Sequence, residues 1–160
     1  MLKNILSPDE CKNCRICCGF ESYELWETPI VSDDLKNHIL ANHPEQKFIR
    51  KGSSWLFRME RKNDNELYFC PMLDMNTGCT LKDDKPFDCK IWPYRIMNMG
   101  GKRVITIASI CPPMYSKPLS QLINELNETG LADKIFAEAD KNPDIVKEYE
   151  RGYPVLLIEK

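Results

Sequence analysis

Cys11-Lys12-Asn13-Cys14-Arg15-Ile16-Cys17-Cys18 is a CxxCxxCC run, and the chain is organised around it. It holds half of the 8 cysteines. The others, Cys70, Cys79, Cys89 and Cys111, are spread singly over the middle of the chain. A CxxC step lets two thiolates meet one metal while backbone N–H groups point at the sulfurs. Zinc takes four such ligands in a tetrahedron, and a cubane iron–sulfur cluster takes one thiolate per iron. Two steps in succession offer three local ligands, Cys11, Cys14 and Cys17, to be closed by a distant fourth. That arrangement is common in iron–sulfur loops, whereas zinc sites more often use two separated CxxC pairs. The spacing leans towards iron–sulfur. The middle of the chain is expected to fold back and bring its cysteines onto the opening run around metal.

Cys18 is the odd member. Adjacent side chains usually diverge, so Cys17 and Cys18 are expected to face different partners. Eight thiolates fit two four-cysteine sites, one cluster plus one zinc, or one cluster with some cysteines only lining the pocket. For any single late cysteine the competing reading is a small buried hydrophobe. Lys12, Arg15, Lys90 and Arg95 lie within a few residues of cysteines and would offset the negative charge of a thiolate centre. Ordinary surface cations would look the same.

At 160 residues the chain is long enough for one domain with a real core. With 42% hydrophobic and 29% charged residues it reads as globular, not disordered. A net charge of −2 and no long basic run argue against a nucleic-acid binder. Met1 to Pro8 contains no signal-peptide core, and no stretch reaches the roughly 18 apolar residues of a membrane span. The expected location is cytoplasmic. In a reducing compartment the cysteines are better explained by metal or redox chemistry than by disulfides.

Local signals place the cysteines. Ser7-Pro8-Asp9 is a turn, so the opening run is expected on a loop or a short helical turn. Ser32 caps a helix over Asp33 to Asn42, with Leu35, Ile39 and Leu40 on its apolar face, stopped by His43-Pro44. Lys47 to Arg50 and Ser54 to Arg61 read as strands, with Glu66 to Phe69 returning after the Asn63-Asp64-Asn65 turn. A second turn at Asn76-Thr77-Gly78 delivers Cys79. Lys85-Pro86 opens a short helix carrying Cys89. Tyr94 to Asn98 and Arg103 to Ala108 flank Gly100-Gly101 as a hairpin. Beyond Pro118 the pattern turns helical. One helix carries the stripe Leu119, Leu122, Ile123 and Leu126, a second runs over Leu131 to Lys141, and a third starts at Asn142-Pro143. Val155 to Ile158 is a short strand or docking segment. The expected fold is α+β: a small metal-stapled domain over 1–160, with short antiparallel hairpins and a loop-borne cysteine cluster. Residues 11–113 would bind metal, and residues 117–160 would form a helical C-terminal segment.

The run is followed by Cys70-Pro71-Met72-Leu73, Gly78-Cys79-Thr80-Leu81, Lys85-Pro86-Phe87-Asp88-Cys89-Lys90-Ile91-Trp92-Pro93 and Cys111-Pro112. This series resembles the YkgJ-type cysteine-cluster family, described as zinc- or iron-chelating and as Fe–S-cluster-containing proteins. Flagellin lysine N-methylases carry a related module. The resemblance covers residues 11 to 113 and implies that Cys11, Cys14, Cys17, Cys18, Cys70, Cys79, Cys89 and Cys111 hold the metal. Lys85 and Lys90 stand where the family has Arg, Lys82 where Tyr is common, and Pro113 where it has Gly.

The expected function is therefore a metal-binding protein holding an iron–sulfur cluster, [4Fe–4S], with a structural or redox role; zinc is the alternative. Whether the chain is an enzyme stays open. A methyltransferase, or a partner of one, acting at the cluster is the enzymatic alternative, but no glycine-rich strand–turn–helix start for S-adenosylmethionine is seen. His38 and His43, the only histidines, sit on and just after a helix as solvated side chains. A third option is a metal chaperone or interaction module, with Cys17-Cys18 passing a soft metal to a protein partner. Its docking face would be the acidic tail of Glu125, Glu128, Asp133, Glu138 and Asp140.

Overall fold

Ser7 starts the first helix. Its hydroxyl accepts from the Glu10 amide, and the Glu10 carboxylate accepts from the Ser7 amide at 2.7 Å. This reciprocal cap satisfies two donors that a helix start otherwise leaves open. Cys11 and Cys14 thus ride on α1 (Pro8–Cys14), the short helical alternative of the expectation, while Cys17 and Cys18 lie beyond its end. Arg15 ends it in the left-handed conformation (φ 57), and Ile16–Cys18 follow as one 3₁₀ turn. The computed structural model describes residues 2, 5–61 and 63–160; residues 1, 3 and 4 of the Met1-to-Pro8 stretch, and Lys62, lie outside these. Ser7→Ala is expected to destabilise the protein by about 1 kcal/mol in urea titration. An unchanged midpoint would mean that packing alone holds α1.

After α1 come β1 (Gly19–Phe20), α2 (Asp33–Asn42), β2 (Phe48–Lys51) and β3 (Ser54–Phe57). Helix α2 has the expected bounds, with Ser32 capping the Leu35 amide. Then follow β4 (Tyr68–Phe69), β5 (Leu73–Asp74), β6 (Gly78–Cys79) and α3 (Phe87–Ile91). Strand β4 does not return to β3. It pairs antiparallel with β1, setting Gly19 opposite Phe69. This ties the end of the cysteine run to the segment leading into Cys70.

The largest sheet uses β7 (Tyr94–Met99), β8 (Lys102–Ile107), β9 (Lys147–Glu148) and β10 (Val155–Ile158), in the order β10-β8-β7-β9. β7 and β8 form the expected hairpin; β9 runs parallel to β7. Before β9 lie α4 (Leu119–Glu128) and α5 (Leu131–Lys141). Their buried residues Leu122, Leu126, Leu131 and Ile135 join Tyr94, Ile96, Ile105 and Ile107 in the main core. The Tyr94 hydroxyl donates to the Leu122 carbonyl at 2.8 Å. Leu119 of the expected stripe is exposed, and Glu125 of the expected acidic face is buried. The third helix is only the turn Pro143–Ile145. There Asp144 turns aside to accept from the Ser53 amide and hydroxyl, and the chain continues into β9.

A second apolar cluster joins Phe20, Val31, Ile39, Phe57, Met59, Met72 and Leu81, with Cys70 and Cys79 packed against it. The α+β class with short antiparallel pairs is what the chain adopts. The expected metal staple is not part of it. Two apolar clusters hold the cysteine-bearing segments, and among the described residues no set of side chains is gathered to hold a metal ion.

Candidate functional site

Four local devices aim thiols at one cavity. The Arg15 turn swings Cys17 and Cys18 off the end of α1. The Cys70 amide donates to the Cys18 carbonyl at 2.9 Å, extending the β1–β4 ladder. Asp74 Oδ1 accepts from the Asn76 and Thr77 amides at 2.9 and 2.7 Å, making the turn that returns β6 and Cys79. Gly78 there has φ +86, and a Cβ on it would lie 3.7 Å from Lys12 of α1. Helix α3 brings Cys89. The resulting cavity, about 650 Å³, is lined by Cys11, Cys17, Cys18, Cys70, Cys79 and Cys89, with Phe20, Met72, Leu81 and Trp92 as apolar wall. Cys14 and Cys111 stand outside it, on a small crevice that shares Cys11 and Cys17.

All eight cysteines are free thiols. Cys17 and Cys18 both face this cavity, and the neighbouring Cys18 thiol together with burial pushes the Cys17 thiol far up. Burial pushes Cys70 up to about 12 and Cys111 up to about 11, and raises Cys11 and Cys89. At neutral pH these five carry protons, and Cys11, Cys17, Cys70 and Cys89 among them give the cavity a polarisable, uncharged lining.

The remaining wall is basic. Lys12, Arg15, Lys82, Lys85, Lys90, Arg95 and Lys147 line the cavity against Glu27, Asp83 and Asp88. Several are committed elsewhere. Arg95 stacks on Trp26, 4.3 Å from its ring centre, and donates to the Trp26 carbonyl. Lys147 is buried, donates to the Asp144 carbonyl at 2.9 Å and sits 4.0 Å from Asp88 Oδ2; burial lowers its pKa. Glu27 accepts from the Glu21 and Ser22 amides, and Asp88 from the Ile30 amide. Lys12, Lys82, Lys85 and Lys90 have no ion-pair partner among the described residues. The positive charge of Lys85 reaches both Cys11 and Cys17.

This geometry corrects the metal expectation. Among the described residues, no group of three or more His, Cys, Asp and Glu side chains could hold a metal ion. A zinc or iron ligand must place its sulfur about 2.3 Å from one shared point. Six thiols line a cavity of about 650 Å³, and among the described residues no three of them are gathered around such a point. The [4Fe–4S] cluster, the zinc alternative, the metal-binding function built on them and the resemblance to the YkgJ-type family are overturned on that ground. Sequence reasoning also missed Lys147. It reaches the cavity from β9 in the C-terminal part, and no local pattern marks it. Among the described residues no helix is long and apolar enough to cross a membrane. No family model matches the chain, and no curated protein or solved structure matches it.

Proposed function

We propose that the chain is a thiol–disulfide redox protein whose chemistry runs on the cavity cysteines, with Cys17 and Cys18 as the working pair. The observation that carries this is the placement of these two adjacent free thiols together on the wall of a six-thiol cavity. Cys18 Sγ attacks one sulfur of a substrate disulfide, whose S–S bond breaks, and the first thiol leaves with a proton. Cys17 Sγ then attacks the Cys18 sulfur of the mixed disulfide, loses its own proton and releases the second thiol. Two protein thiols are oxidised to one disulfide, and the substrate disulfide is reduced to two thiols.

The same adjacency favours reversibility. Neighbouring Cα atoms are about 3.8 Å apart, closer than the roughly 4.4–6.8 Å of relaxed disulfides, and such strain makes the bond easier to reduce.

The test equilibrates reduced protein in thiol–disulfide buffers of stepped potential, alkylates what remains free and maps it by mass spectrometry. The expected result is reversible loss of two thiols at Cys17 and Cys18, abolished by Cys18→Ser. Retention of all eight thiols at every potential, or loss mapped to other cysteines, would sink the reading.

A further inference from the structure

We infer that the cavity takes a low-molecular-weight disulfide carrying negative charge. This rests on the thiol reading for its chemistry and on a separate observation, the charge of the wall, for its choice of substrate. In a chain of net charge −2, the cavity gathers seven cations against three acids. Two of those acids, Glu27 and Asp88, are already spent on backbone amides. Lys12, Lys82, Lys85 and Lys90 have no ion-pair partner among the described residues.

Unpaired ammonium groups on a concave, partly apolar wall raise the local concentration of anions and hold their carboxylates. The volume of about 650 Å³ admits a molecule of small-peptide size. Lys85, whose field already reaches Cys11 and Cys17, is placed to seat a carboxylate beside the working pair. The four lysines come from α1, the segment before α3, and α3 itself, so three parts of the chain contribute charge to the one cavity.

Two probes of one reaction decide the matter: glutathione disulfide, which is anionic, and cystamine, which is cationic. At low salt the reduced protein is expected to react at least tenfold faster with glutathione disulfide. The ratio should fall towards one at high salt, and also in the triple variant Lys12→Gln, Lys85→Gln, Lys90→Gln. Equal rates, or a preference for cystamine, would overturn the inference while leaving the thiol chemistry standing.

Binding is measured in parallel with S-methylglutathione, which carries the charge and cannot exchange. The expected affinity loss in the triple variant is at least tenfold, and an unchanged affinity counts against the anion site. If neither disulfide reacts while S-methylglutathione still binds through the lysines, the thiol reading fails and the anion site survives without its disulfide.

Discussion

Asp88→Ala is expected to lower the unfolding free energy by about 3–5 kcal/mol, the usual cost of stranding a buried charge. Asp88 Oδ2 does two jobs. It accepts from the Ile30 amide at 3.1 Å, and it stands 4.0 Å from Lys147 Nζ. The Lys147 side chain is 4% exposed, and burial outweighs the nearby carboxylates in setting its pKa. Remove the carboxylate, and the ammonium is left with the Asp144 carbonyl and the more distant charge of the Asp144 carboxylate. The Ile30 amide is stranded at the same moment. Asp88→Asn leaves an acceptor for that amide and should be milder by roughly 1–3 kcal/mol. Pairing Asp88→Leu with Lys147→Met, which removes both charges, should recover most of the loss. Urea titration followed by tryptophan fluorescence measures all of these. A loss under about 1 kcal/mol for Asp88→Ala would show that Lys147 gives up its proton at little cost. The consequence reaches the cavity, because Asp88 anchors α3, which carries Cys89 and Lys90.

The second large effect is alkaline instability. A thiol that binds its proton more tightly in the fold than in the unfolded chain stabilises the fold fully below its ordinary value. That stability is lost as pH climbs through the raised value. Cys70 rises from 9.0 to about 12 and Cys111 to about 11. Cys11, Cys17 and Cys89 are raised too, and the raised Tyr94 hydroxyl adds in the same direction. Stability should therefore be flat up to about pH 9 and fall between 9 and 12. At about 1.4 kcal/mol per tenfold change in proton affinity, Cys70 alone contributes on the order of 4 kcal/mol. Lys147 works against the trend, since its lowered pKa is a penalty that vanishes once the unfolded lysine also loses its proton. Reduced protein, melted across this range under nitrogen, provides the measurement. A melting temperature that holds to pH 12 would mean that the thiols are hydrated in the fold.

Short-range features were legible in the chain. Ser32 and His43 bracket α2 because capping and the pre-proline restriction act within a few residues. Gly100-Gly101, both at positive φ, join β7 to β8 because few other residues accept that geometry. Ser7-Pro8-Asp9-Glu10 also contained its answer. The Ser-x-x-Glu spacing is the capping-box signature, and it outweighs the turn suggested by Pro8. Asn142-Pro143 offered a comparable helix start, but Asp144 bonds to Ser53, far away in sequence, and the helix stops after one turn.

By itself, the sequence determined that α1, α2 and the β7–β8 hairpin would form, and that cysteines would cluster near the N-terminus. Those outcomes depend on caps, turns and spacing within a few residues. Only the tertiary structure decided where the thiols point. The β1–β4 pairing, the Gly78 turn against Lys12 and the arrival of Lys147 from β9 set the size and charge of the cavity. The CxxCxxCC spacing announced a metal centre, because spacing records which sulfurs are near along the chain. Whether they meet at one point depends on the volume that distant segments enclose, and here that volume keeps them on its wall.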